Sequence, residues 1–165
     1  MSKDNISLEA KIITLGDSKV GKSSLIVKFI ENKFTNDYTS TIGFDLKYKS
    51  LQLENNEVIK IIIHDTAGQE RFKSLSTNYI KKANGVLLVY SITDKDSFNN
   101  ISNWMNDIID EAGDKIPIVL IGNKCDLEDN RKISKEEGEN AAKQYTLFLG
   151  FVRTPESSSK NLKNN

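Results

Sequence analysis

Gly16-Asp17-Ser18-Lys19-Val20-Gly21-Lys22-Ser23 is the stretch on which the reading of this chain turns. It spaces Gly, four residues, then Gly-Lys-Ser directly behind the apolar run Ala10 to Leu15. Ahead of it, from Lys22 to Lys33, Leu25, Ile26, Phe29 and Ile30 fall at helical spacing. A glycine loop between strand and helix lets backbone N–H groups wrap phosphates at the positive end of the helix dipole. Lys22 then neutralises phosphate charge, and the Ser23 hydroxyl is a candidate Mg²⁺ ligand. Asp17, Ser18, Lys19, Val20, Gly21, Lys22, Ser23 and Ser24 are therefore the candidate phosphate contacts. The plainer reading, a turn with a serine cap, does not account for the whole spacing in this context. The motif alone accepts any nucleoside triphosphate.

Working outward, Phe44 to Leu53 alternates Phe44, Leu46 and Tyr48 with Asp45, Lys47 and Lys49. Asn55-Asn56 tolerates the positive φ of a tight turn before Val58 to Ile63, so an antiparallel pair is expected. Val86 to Ile92 and Ile116 to Ile121 are continuous apolar runs, as strands covered on both faces require. Between them Phe98, Ile101, Trp104, Met105, Ile108 and Ile109 mark one face of a helix that Gly113 can end. Ser134 and Glu137 make a capping box for another helix running through Ala141 and Ala142. The alternation predicts a three-layer α/β fold, a mostly parallel six-stranded sheet with one antiparallel edge strand and right-handed crossovers.

Two further motifs stand at strand ends. Asn123-Lys124-Cys125-Asp126 follows the run Ile116 to Ile121, and a carboxylate there can accept from both N1–H and the exocyclic amine of guanine. Adenine lacks that pair of donors on that edge and would leave the buried carboxylate unpaired. On its own Asn-Lys-x-Asp is more often a surface turn, but behind a phosphate loop it selects GTP over ATP. Asp65-Thr66-Ala67-Gly68-Gln69 follows Val58 to Ile63, which places Asp65 to hold Mg²⁺ through a water and the Gly68 N–H to meet a γ-phosphate. That pattern is weak alone and gains its value from position. Thr41, in the polar loop before the hairpin, is the remaining candidate metal ligand.

Composition sets the limits. At 165 residues and 38% apolar the chain suits one domain with one core. Lysine plus arginine equals aspartate plus glutamate at 23 each, which removes the basic field that nucleic-acid binding exploits. Cys125 is the sole cysteine, so no internal disulfide forms. Met1 to Ala10 lacks an apolar signal core, and no apolar run reaches the ~20 residues of a membrane helix. A cytoplasmic protein is expected.

The ordered set resembles the Ras superfamily. Gly16 to Ser24, Thr41-Ile42-Gly43, His64 through Phe72 and Asn123 to Asp126 look most like Rab proteins, as do Leu88-Val89-Tyr90-Ser91-Ile92-Thr93 and Asp96-Ser97-Phe98. The likeness runs from about Leu8 to Lys160. It implies GTP and GDP with Mg²⁺ as cofactors, Gln69 orienting the attacking water with Lys22 assisting, and Ser23, Thr41 and Asp65 around the metal. It also implies Phe34 edge-on to guanine, Tyr38 over the phosphates, and Ser158, Ser159 and Lys160 in the last base-contacting loop, Ser159 replacing the usual alanine. Implied partners are an exchange factor, a GTPase-activating protein and effectors, reading switch regions 34–43 and 65–79 in vesicular membrane traffic.

Three departures narrow the resemblance. Lys19 stands where Rab loops carry a small residue, either solvated or altering hydrolysis. The aromatic trio that effectors read is replaced by Leu46, His64 and Tyr79, with only the tyrosine kept. The sequence ends at Asn165, where the family continues into a final helix and a prenylated tail. The expectation is thus one small GTPase domain over 1–165, C-terminally truncated and without its last helix, whose contact with the cytosolic face of a membrane needs a lipidated tail absent here. A naturally short, divergent chain is the other reading. In function, a nucleotide-binding module with little hydrolysis is the alternative, and a small-metabolite kinase is a third.

Overall fold

The structure, a computed structural model, describes residues 6–31, 44–66, 73–145 and 147–151. Strand β1 covers Ile6–Leu15 and leads through the glycine loop into helix α1, Lys22–Glu31. Strands β2, Phe44–Gln52, and β3, Val58–Thr66, form the hairpin. Helix α2, Lys73–Ile80, precedes β4, Gly85–Ser91. Helices α3, Lys95–Asn99, and α4, Ile101–Ala112, lead to β5, Ile118–Asn123. Helix α5, Lys135–Gln144, and strand β6, Phe148–Phe151, follow.

The six strands make one sheet in the order β2-β3-β1-β4-β5-β6. Only β2 runs antiparallel to its neighbour, pairing from Phe44↔Thr66 to Gln52↔Val58, with Asn56 at φ 63 in the turn as expected of asparagine. The sheet is therefore mixed, with one antiparallel pair. β1 starts four residues earlier than its apolar run because it pairs with β3 from Ile6↔Val58, so polar Glu9 is carried into the ladder.

Alternation within the inner strands feeds two cores. Val86, Leu88 and Tyr90 of β4, with Leu120 of β5, pack with Ile101, Met105 and Ile108 of α4 and Ala142 of α5. The intervening Leu87, Val89, Val119 and Ile121 pack with Val20 of the glycine loop and Leu25 of α1. The sheet is thus the middle of three layers, each helix layer meeting the side chains of one strand face.

The single helix expected between Phe98 and Ile109 is instead two. Asn100 lies between them at φ −74, ψ −6, closing α3 by N–H bonds to the carbonyls of Asp96 and Phe98. Asparagine is a poor helix former, and the Asn100 side chain is held elsewhere, on the glycine loop. The remaining end signals act as anticipated: Gly113, φ 79, closes α4 onto the Ile109 carbonyl, and Ser134 with Glu137 completes the reciprocal cap of α5.

Candidate functional site

The C-terminal ends of β1, β3 and β5 lie along one edge of the sheet, and each delivers one part of the site. β1 delivers the glycine loop. Gly16, at φ 131, passes so close to β4 that a Cβ there would sit 2.1 Å from the Val89 carbonyl oxygen. Gly21, at φ 93, would place a Cβ 2.4 Å from the Asn123 amide nitrogen. No side chain fits at either point, so the loop winds tightly against β4 and β5.

Lys22 opens α1 and is only 5% exposed. Its ammonium donates to the carbonyls of Gly16 and Asp17, both at 2.8 Å, so it reaches back over the loop it follows. Burial pulls its pKa down to about 8, against the pull of the nearby Asp65 and Asp17 carboxylates.

β3 delivers Asp65, 4% exposed, whose Oδ1 is buried with no hydrogen-bond partner among the described residues. Burial pushes its carboxyl above the usual carboxylate range, while a hydrogen bond from Ser23 and the charge of Lys22 oppose the shift. A buried carboxylate oxygen left open beside a serine hydroxyl is a donor set that suits Mg²⁺, which takes few protein oxygens and completes its shell with water and phosphate. Among the described residues no group of three His, Cys, Asp or Glu gathers elsewhere as an alternative metal site. Two hydroxyls tie β3 to β1 beside it: Thr66 donates to the Thr14 carbonyl at 2.6 Å and Thr14 to the His64 carbonyl at 3.0 Å.

β5 delivers Asn123, fully buried, whose amide donates 2.9 Å to the Val20 carbonyl inside the glycine loop. The Asn123 motif and the glycine loop are thus one bonded unit. Lys124, at φ 65, turns the chain away from the strand, and its carbonyl accepts from Leu127 N–H at 2.9 Å. Asp126 lies partly buried in that turn.

Of the loop's other candidates, Ser18 and Lys19 are exposed, Ser24 is partly buried and Val20 is buried in the smaller core. The Asp17 carboxylate is turned outward from the loop to α4, accepting from Asn100 Nδ2 at 2.7 Å and Trp104 Nε1 at 2.8 Å. Those two partners lie 83 and 87 residues away in sequence, and no local pattern could have pointed to them. Phe34, Tyr38, Thr41, Gly68, Gln69, Ser158, Ser159 and Lys160 lie outside the described residues.

The three positions of the altered aromatic trio do come together. Leu46 of β2 is paired with His64 of β3 and 56% exposed, and the His64 ring lies 4.7 Å from that of Tyr79. Burial, then the charge of Lys11, lowers the His64 pKa, so the imidazole is neutral at pH 7.

Compared with known protein families, residues 11–165 match the family described as the Ras family. The chain belongs to the Ras family. Among Ras-family relatives it is 45% identical over 152 residues to Ras-related protein Rab-13 of Mesocricetus auratus, covering 92% of this chain and 73% of that protein. It is 42% identical over 153 residues to Ras-related protein Rab-8B of Homo sapiens, covering 93% and 72%. Ras-related protein Rab-8A of Bos taurus is 41% identical over 154 residues, covering 93% and 73%. The chain is therefore a Rab-like small GTPase of the Ras family, and membership implies guanine-nucleotide binding. Among the described residues no helix is long and apolar enough to cross a membrane.

Proposed function

We propose that this chain, as one domain over 1–165, is a GTP-hydrolysing switch in vesicular membrane traffic. The observation that carries the reading is the bonded convergence of Lys22, the Ser23–Asp65 pair and Asn123 on one sheet edge. Lys22 draws the β- and γ-phosphates into a loop whose N–H groups it holds in place, and Asp126 selects guanine by accepting its two edge donors. Ser23, Thr41 and Asp65 would hold Mg²⁺, which supplies charge neutralisation at the bridging phosphates. Gln69 orients the water for in-line attack, and the Gly68 N–H meets the γ-phosphate. Phe34, Tyr38 and the loop Ser158-Ser159-Lys160 enclose the nucleotide.

The γ-phosphate then holds regions 34–43 and 65–79 in the arrangement that effectors and a GTPase-activating protein read, and an exchange factor resets it. Lys19 is exposed, and its ammonium is read as solvated rather than as part of the reaction. The neutral His64 beside Leu46 and Tyr79 gives effectors a different surface from the usual aromatic trio. The working place is the cytoplasm and, through a lipidated tail, the cytosolic face of a membrane.

The test is single-turnover hydrolysis of GTP bound to the purified protein, with and without Gln69→Leu. Slow turnover that falls further in the variant is expected, and a rate indifferent to Gln69→Leu refutes the assignment.

A further inference from the structure

The main chain and the side chain of Asp17 bond to different elements. Its carbonyl accepts from the Lys22 ammonium at 2.8 Å, while its carboxylate accepts from Trp104 and Asn100 at 2.8 and 2.7 Å. Both groups leave the same Cα, so the carboxylate's two bonds to Asn100 and Trp104 anchor the point of the backbone from which the Asp17 carbonyl reaches Lys22. Trp104 sits one helical turn beyond Asn100, which puts its indole N–H and the Asn100 amide on the same side of α4, forming a fork that matches the two carboxylate oxygens. Trp104 also packs on the larger core beside Met105 and Ile108, so the fork is rigid at its base. The glycine loop is otherwise held from the opposite side of the crevice by Asn123 on Val20.

We infer that Trp104 and Asn100 are positioning residues for the phosphate site, acting through the Asp17 carboxylate to fix the loop that Lys22 closes. This rests on the guanine-nucleotide reading above. Neither side chain is assigned a contact with nucleotide. Their effect is on how long the loop keeps its phosphate-wrapping shape. Because Trp104 is the chain's single tryptophan, its emission reports the contact directly.

The experiment loads the full chain with N-methylanthraniloyl-GDP and follows its release in excess GDP, alongside urea unfolding. The variants are Trp104→Phe, which keeps the ring and removes the N–H, Asn100→Ala, Asp17→Asn, and Asp17→Asn with Trp104→Phe. Release about tenfold faster is expected for Trp104→Phe and Asp17→Asn, the worth of one charge-assisted hydrogen bond. The double variant should be little faster than either single one, since both act on the same carboxylate–indole contact, one by removing its charge and the other its donor. Tryptophan emission should shift in Asp17→Asn. Unchanged release in Trp104→Phe, even with lowered urea stability, overturns the inference, as does emission indifferent to Asp17→Asn. Should Asp17→Asn fail to fold, Trp104→Phe and Asn100→Ala still decide by release rate. Wild-type protein that retains no guanine nucleotide at all removes the functional reading first and this inference with it, an outcome distinct from a tightly bound nucleotide that ignores Trp104.

Discussion

Replacing Asn123 should separate two effects that its burial confounds. In wild type its amide nitrogen donates 2.9 Å to the Val20 carbonyl, and its Oδ1 is buried without a partner among the described residues. Asn123→Ala takes away the donor, which costs about 1–3 kcal/mol if the carbonyl is left dry, but it also removes an unpaired oxygen worth ~1–2 kcal/mol in the other direction. The net loss is about 1 kcal/mol, a fall in Tm of roughly 2–4 °C for a domain of this size. Asn123→Asp has the same shape and no such relief. At pH 7 it buries a carboxylate at a position with 0% exposure and points one oxygen at the Val20 carbonyl, so about 3 kcal/mol or more should be lost. Burial raises the folded-state pKa of that new carboxyl above its unfolded value, so the penalty should shrink as pH falls and the protonated group becomes a donor to Val20. Urea unfolding of both variants at pH 7 and pH 5, at fixed nucleotide concentration, measures this. An aspartate variant no less stable than the alanine variant at pH 7 refutes the bond between base motif and loop.

Tyr90→Phe should raise Tm by roughly 2–4 °C, because the buried hydroxyl is unpaired among the described residues while the ring keeps its edge contact with Phe98 at 5.1 Å. A fall in Tm contradicts this. The same burial pushes the Tyr90 pKa up to about 12, so wild type should lose stability as pH rises from 10.0 through about 12 more steeply than Tyr90→Phe in alkaline denaturation. Glu137, held down to about 2 by Lys95 and then by Ser134, contributes stability above pH 4.5 that is lost as pH falls through about 2. Glu137→Gln should flatten that acid limb in circular dichroism titrations, and an unchanged limb rules the contribution out. Lys22→Met should abolish guanine-nucleotide retention on gel filtration while the protein stays folded, since burial already disfavours the ammonium and an apolar chain suits the position.

How far the sequence could be read depends on the range of the interaction that fixes each feature. The capping box at Ser134 and Glu137, the turn at Asn56 and the stop at Gly113 are each decided within a few residues, and the structure has all three. The alternation of β4 between two cores is visible as an unbroken apolar run because both faces are covered. The break at Asn100 was not legible, since the apolar face from Phe98 to Ile109 continues across it. What divides the helix is favoured by a bond to a residue 83 positions away. The early start of β1 is hidden in the same way, in a polar stretch made extended only by its partner β3.

These long-range bonds converge where the topology turns. From β1 the chain fills the β3 side of the sheet first and only then crosses to β4, β5 and β6, so the crevice beside β1 opens between α1, packed on one face, and α4 on the other. A loop in that crevice can be gripped from both sides, and this one is: Asn123 takes the Val20 carbonyl and the α4 fork takes the Asp17 carboxylate. The loop's sequence explains why it can bend around phosphate. Its contacts to Asn123 and to α4 explain why it keeps that bend.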